Sequence, residues 1–316
     1  MIPTIRTRGK VCVFALALIA FSNVAPVFAT EQFAWISSDG VDTNPCSPTQ
    51  PCATFTRALA VLESGGQINC INSPGIFEGD IFTAASMTID CAGVHAAFGG
   101  GGFFPNLAFN GFNQAVKIRN LTINGIGGTA YAIGVSGSGT LILENCVVEG
   151  MPEIALDIEP TGPLNLVIKN TRISNGANGA AIFLRPAAGG SINATFDHVT
   201  ITGNRGGGIK ADSTNGNVNL DVADSEISNN ANNGIIAVGG AGQSMISVKN
   251  SVIARNGQSG VAASGATAAV LVQTTLLDQN VAGATSVASG GHISTYQNNS
   301  IVGTIGSGFT GTVSPQ

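Results

Sequence analysis

Three short phrases carry most of the side chains that could do chemistry: Asp157-Ile158-Glu159, Phe183-Leu184-Arg185 and Lys210-Ala211-Asp212. In each phrase the two outer residues would leave the same face of a strand. The phrases follow one another at nearly equal intervals along the chain. Two neighbouring carboxylates could serve as the acid and base of glycoside cleavage. A guanidinium, an ammonium and an aromatic ring could instead hold a ligand through charge-assisted hydrogen bonds. The competing reading is structural. Opposite charges on adjacent strands form ladders worth a few tenths to about 1 kcal/mol per pair. Arg119, Glu144, Lys169 and Asp197 alternate in sign and fit such a ladder. The first group stands out because only 10% of the chain is charged. Asp157, Glu159, Phe183, Arg185, Lys210 and Asp212 are therefore the candidate binding patch.

The remaining chemistry is sparse. His95, His198 and His292 stand in three separate contexts, and His198 fills a turn slot of the repeat described below. There is no Asp-Asp, no GxSxG, no phosphate loop and no CxxC. No cysteine–histidine spacing suits zinc, so no metal centre is expected. Asp39, Asp42 and Asn44 could approach calcium, but their spacing is not that of a calcium loop, and a hydrogen-bonded turn is the expectation. The formal charge is −5 with no basic run, which speaks against a nucleic-acid partner. No cofactor is expected.

These residues are positioned by a repeat. Asn120, Asn145, Asn170, His198, Asp224, Asn250, Thr274 and Asn298 mark it. The markers recur about every 25 residues, a period typical of stacked-repeat architectures. Two before each lie Ile118, Leu143, Ile168, Phe196, Val222, Val248, Val272 and Tyr296; four before lie Val116, Leu141, Leu166, Ala194, Leu220, Ile246, Val270 and Ser294. Three after lie Ile123, Val148, Ile173, Ile201, Ile227, Ile253, Leu277 and Ile301. Alternation before the marker predicts a strand with one buried face. The marker itself is a residue that tolerates left-handed backbone angles, which predicts a tight bend. Asn/Gly clusters such as SNNANNG then predict a wider turn. A third apolar run follows, for example Gly234-Ile235-Ile236-Ala237. Each repeat therefore has three strands and three turns. Aligned on the third strand, one outward column reads Gly134, Asp157, Phe183, Lys210, Ile236 and Ala262, and the next reads Ser136, Glu159, Arg185, Asp212, Val238 and Ser264.

This pattern, from about residue 65 to 316, resembles the right-handed parallel β-helix of the pectate-lyase-like superfamily, in particular its exported members of uncharacterised function. The resemblance implies an all-β, single-stranded right-handed parallel β-helix, a three-sheet solenoid, with a short N-terminal capping helix. A leucine-rich repeat has a similar period, but it places its Asn differently and adds a helical segment. The resemblance also implies that the third-strand face often carries a substrate groove. The GHG phrase of polygalacturonases is missing: His292 sits in GGHIS. Residues 92 to 115 form the least regular segment, in which Phe103, Phe104, Phe109 and Phe112 are expected as a local plug.

Ahead of the repeat, residues 1–29 read as a secretory signal: Arg6, Arg8 and Lys10, then the apolar run Val11 to Phe21, then Val27-Phe28-Ala29. The apolar run is too short for a membrane span, and none is expected after removal of the signal. Residues 30–64 are the N-terminal cap. Thr54 is its expected helix N-cap, and Phe55, Ala58, Leu59 and Leu62 share a face. Export permits disulfides. Cys46 and Cys52 bracket a loop that a disulfide between them is expected to close, while Cys70 and Cys91 end matching phrases and are expected to stack as markers of the first two rungs and to form a second disulfide. Cys146 is left free, in an inward column with Leu121, Thr171, Val199 and Ser225. Of the few large polar aromatics, Trp35 falls in the cap, Tyr296 in an inward column and Tyr131 outward.

The reading is an exported protein, secreted or periplasmic, that binds a glycan or a protein surface along one flank without turnover. The alternative is a polysaccharide lyase or glycoside hydrolase. Nothing in the sequence sets an oligomeric state. N-terminal sequencing of exported material is expected to begin at Thr30, because Val27 and Ala29 meet the small-residue rule for cleavage. A start displaced by more than a few residues would contradict the assignment.

Overall fold

The computed structural model describes residues 31–72, 75–77, 81–94, 96–98, 107–111, 113–125, 131–176 and 178–314. The expected signal segment, residues 1–29, and His95, Phe103, Phe104 and Phe112 lie outside them. Among the described residues the strands form three sheets of twelve, ten and nine members, here sheets 1, 2 and 3. The chain visits them in turn: Gly139–Glu144 in sheet 1, Val147–Glu149 in sheet 2, Leu156–Ile158 in sheet 3, then Pro163–Lys169 in sheet 1 again. Each of these strands pairs in parallel with its counterparts on neighbouring rungs. The result is a parallel β-solenoid with one continuous apolar core.

Two of the three turns in each rung have a fixed left-handed residue that recurs as a column. The first bend, from sheet 1 to sheet 2, is a single residue in the left-handed region: Asn120, Asn145, Asn170, His198, Asp224, Asn250 and Thr274, with φ between 46° and 60°. These are the expected bend residues, and side chains that can bond locally make that conformation accessible. The second bend, after sheet 2, falls in the expected wide Asn/Gly turn and uses another left-handed column, which the composition of the turn does not single out: Gly150, Asn175, Gly203, Asn229, Arg255, Gln279 and Gly303. Just beyond it runs a buried asparagine ladder, Asn204, Asn230, Asn256 and Asn280. Each of the last three takes the main-chain N–H and the side-chain Nδ2 of the asparagine one rung earlier on its Oδ1, at 2.8–3.2 Å. Its own Nδ2 donates to the carbonyl of Ile201, Ile227 or Ile253. Buried turn N–H groups are thus satisfied by the next rung, each bond worth about 1 kcal/mol net.

The inward columns are buried from the rung of Val116 and Ile118 to that of Val270 and Val272. The last rung departs from the expected register. Val270 and Val272 pair with Ile293 and Thr295, not with Ser294 and Tyr296, while Leu276 still pairs with Ser300. One extra residue is therefore taken up between them, and the left-handed bend falls on Gln297 instead of Asn298. Ile293 and Thr295 are buried, and Tyr296 is half-buried at the bend. Asn298 accepts from the Thr274 main-chain N–H at 2.9 Å.

At the N-terminal end, β1 (Glu31–Ser37) is the first strand of sheet 1 and pairs with β2 (Leu62–Ile71). Helix α1 (Phe55–Val61) lies between them, and Thr54 caps it by accepting from the Arg57 main-chain N–H at 3.1 Å. Phe55, Ala58 and Val61 are its buried residues. Leu62, expected on the helix face, is already extended and opens β2, while Leu59 and Leu62 pack partly buried against the core. This apolar plug covers the open end of a repeat stack.

Cys46–Cys52 and Cys70–Cys91 are both disulfide-bonded, each with Cα atoms 4.7 Å apart. The second pair joins stacked rungs, but neither cysteine adopts the marker's left-handed bend. In these rungs the left-handed residues are Asn72 and Gly93, two positions later. The strand runs on, so Cys70 continues the inward alternation of Ile68 and stays buried. Cys146 is free and buried, beside buried Leu121, Thr171, Val199 and Ser225. Phe109 is fully buried.

Ile227 sits 1% exposed between Ile201 and Ile253. Ile227→Asp would bury an unpaired carboxylate in that column, at a cost above about 4 kcal/mol. A thermal melt should show loss of the folded protein or a drop of many degrees. A melt within a degree or two of the parent would contradict the register.

Candidate functional site

The third-strand columns fall as the alignment placed them. Gly134, Asp157, Phe183, Lys210, Ile236 and Ala262 are consecutive register partners in sheet 3. The inward residues on either side, Leu156, Ile158, Ile182, Leu184, Ile209 and Ala211, are buried, which turns the charged residues outward. Asp212, Val238 and Ser264 continue the second column. All six patch residues come together.

Their pairing is specific. Arg185 grips Asp157 with two parallel bonds, Nε to Oδ1 at 2.8 Å and Nη2 to Oδ2 at 2.7 Å. The same Nη2 lies 3.5 Å from Glu159 Oε2. Lys210 Nζ is 3.1 Å from Asp212 Oδ2. Both cations also contact the Phe183 ring, Arg185 Cζ at 4.9 Å and Lys210 Nζ at 4.5 Å from its centre. The hydrogen bonds that Arg185 donates to Asp157 raise its guanidinium above its ordinary value against the effect of burial. Burial works to raise Asp212, but bonds from the Thr214 hydroxyl, Lys210 and the Thr214 main chain outweigh it and hold the carboxyl low.

The structure adds residues that the columns did not name. Tyr131, one rung before Asp157, is raised by burial and then by the charges of Asp157 and Glu153, and it bonds to Glu153. It joins the patch at its N-terminal side. Towards the C-terminus, Lys210 opens onto a shallow trough of about 250 Å³ lined by Gly179, Gly207, Asn232, Asn233 and Gln258. These come from the Asn/Gly turn clusters, whose composition marked a turn but gave no sign of a surface.

The second charged column is paired differently from the expected ladder. Glu144 bonds Lys117 at 3.0 Å, and Arg119 bonds Asp90 at 2.8 Å. Lys117 and Arg119 reach to neighbouring strands, Lys117 diagonally across two positions of register. His198 stands exposed at its bend with Nδ1 2.7 Å from Asp197 Oδ1, and His292 is exposed at the start of its strand. In the cap loop, Asp42 accepts from the main-chain N–H of Ala53 and Thr54 and from the Thr54 hydroxyl. Asp39 accepts from Asn72, and Asn44 donates to the Pro51 carbonyl. These are the bonds of the expected turn.

No family model and no curated protein matches the chain. Solved structures do. The pectate lyase Pel9A superposes with a TM-score of 0.56 at 13% identity, over 90% of this chain and 78% of its own. The fold is the right-handed parallel β-helix of pectate lyase. The A-module of the mannuronan C-5 epimerase AlgE4 from Azotobacter vinelandii gives 0.49 at 14% identity, over 80% of this chain and 91% of its own. A rhamnogalacturonan lyase gives 0.48 at 10% identity, over 77% of this chain and 74% of its own. At these identities the likeness is one of fold.

Arg185→Ala tests how the patch is held. Asp157 is buried, with its side chain 11% exposed, so it is left without its partner in a site water reaches poorly. The loss should exceed that of an exposed pair and lie at about 1–3 kcal/mol. Adding Asp157→Asn to that variant should recover part of it, read as denaturant midpoints of the two variants. A loss no larger than that of an ordinary exposed ion pair would mean that the contact is solvated.

Proposed function

We propose that the protein is an exported β-helix that holds a neutral glycan along the outer face of sheet 3, without turnover. The observation that carries this reading is the cluster around Phe183, continued by the trough at Lys210. Three carboxylates, Asp157, Glu159 and Asp212, face two cations, Arg185 and Lys210, for a sum of −1. That near-balance favours neither a polyanion nor a polycation. It offers fixed acceptors and donors side by side, which suits a partner rich in hydroxyl groups. Asn232, Asn233 and Gln258 extend the same character along the trough.

Binding is favoured over cleavage by the pairing. Asp157 commits both oxygens to Arg185, and the same guanidinium approaches Glu159. Neither acid is set opposite the other across an open cleft, as glycoside cleavage requires. A protein partner is less suited, because the flank centres on charged pairs, with Tyr131, Phe183, Ile236 and Val238 half-buried around them in place of a continuous apolar centre. Two disulfides, and the absence among the described residues of a helix long and apolar enough to cross a membrane, are compatible with a secreted or periplasmic protein. The fold likeness to a pectate lyase keeps the lyase or hydrolase reading as the alternative outcome.

The test is a glycan array and a polysaccharide-degradation screen of the mature protein beside Lys210→Ala. Lys210 is about one-third exposed, so the fold should survive. Binding to a neutral glycan, weakened at least about tenfold in the variant and without product release, is the expected result. Depolymerisation by the parent would transfer the case to the lyase or hydrolase. Equal binding by both proteins would reduce the patch to an ion-pair ladder.

A further inference from the structure

The first bend repeats one residue type along much of the solenoid, with two adjacent charged or titratable exceptions. Asn120, Asn145, Asn170 and Asn250 hold it, but His198 and Asp224 take it on successive rungs. All six share the left-handed conformation, so the two exceptions leave the backbone as their neighbours do. Asp197, the last residue of its sheet 1 strand, stands beside them. One ligand atom from each of Asp197, His198 and Asp224 lies within 4.8 Å of the other two. His198 and Asp224 also line an open cavity of about 420 Å³, together with Glu226 and Asn250.

The carboxylates of this bend form no ion pair with a lysine or arginine among the described residues, although Lys169 is the register partner of Asp197 one rung earlier. Elsewhere on the solenoid, carboxylates that meet another charge have a basic partner: Asp90 has Arg119, Glu144 has Lys117 and Asp278 has Arg255. Among the described residues, Asp197 is paired only with His198, and Asp224 makes no ion pair with a lysine or arginine. Two carboxylates this close repel each other unless a cation lies between them.

We propose that Asp197, His198 and Asp224 form a binding site for a divalent transition-metal ion. One imidazole nitrogen with two carboxylate oxygens suits Zn²⁺, whereas calcium and magnesium favour sets of oxygens alone. Ligand atoms about 2 Å from a shared ion in tetrahedral geometry lie about 3.3 Å from one another. The His198 and Asp197 side chains are 63% and 37% exposed and reach that geometry by changing rotamer. The open cavity leaves the fourth position to solvent. The site lies between sheets 1 and 2, away from the sheet 3 patch, and does not depend on it.

Zn²⁺ is titrated calorimetrically into chelator-treated mature protein, beside His198→Asn and Asp224→Asn. Both substitutions place the column's own residue type at the bend, so the metal-free melting temperatures should agree with the parent to within a few degrees. One saturable Zn²⁺ per chain is expected, weakened at least about tenfold in each variant, with a zinc-induced rise in melting temperature in the parent that the variants lose. Absence of saturable binding, or variants that bind as the parent does, would overturn the proposal. So would calcium binding as tight as zinc and indifferent to His198→Asn.

Discussion

Every rung must satisfy the buried polar groups of the rung beneath it. A solenoid strand has neighbours on both sides, but its turns lie partly inside the wall, where water does not reach their N–H groups. Here the solution is to let a side chain from the next rung accept those bonds. Asn230 accepts from the Asn204 main chain and side chain and is itself held by Asn256, which is held in turn by Asn280. A parallel device runs at the first bend, where Ser225 accepts from the Val199 N–H and Ser251 from the Ser225 N–H. An unsatisfied buried donor costs about 1–3 kcal/mol, so a slip of one rung against the next would lose several such bonds at once. The register is fixed by the turns as firmly as by the apolar columns.

That constraint makes the outer surface predictable as well. Rungs held in register bring outward side chains of neighbouring rungs about 4.8 Å apart, so a charge cannot avoid the charges above and below it. Asp157, Phe183 and Lys210 meet because they are stacked, not because a loop folds over them. The apolar residues alternating with them are turned inside, and the ring of Phe183 becomes the surface over which two cations settle.

Much of this was legible in the sequence because both facts have a period. The left-handed asparagines, the inward aliphatics and the columns through Asp157 and Arg185 follow from counting alone. What was not legible lacks a one-dimensional signature. The extra residue near Gln297 hides because Ser300 returns to register after it, so the outer columns give no sign of the slip. Cys70 and Cys91 share the marker's register but not its bend: both are buried, and the left-handed residue comes two positions later, at Asn72 and Gly93. Glu144 chose Lys117 over the residues in its own column because long side chains reach diagonally. The asparagine ladder was written in the sequence at a near-constant step, yet it fell inside Asn/Gly clusters where asparagine is also an ordinary turn residue.

Ladders give a way to separate scaffold from surface chemistry. A column that serves the fold has few acceptable solutions at each rung, and the same residue type recurs: asparagine inside the second bend, small hydroxyls beside the first, aliphatics in the core. Departures that the fold does not require then carry information of another kind. His198 and Asp224 take the same left-handed conformation as the asparagines on either side, and Asp224 adds a carboxylate that forms no ion pair with a lysine or arginine among the described residues. At the sheet 3 patch the carboxylates meet cations, Asp157 and Glu159 at Arg185 and Asp212 at Lys210, and the pairs are tight enough to be preorganised. Under the proposals made above, a partner of the patch would be recognised by hydrogen bonding to groups already fixed, and a partner of the first bend by neutralising charge. The same stack of rungs thus presents two chemically distinct surfaces, and the repeat that positions both explains neither.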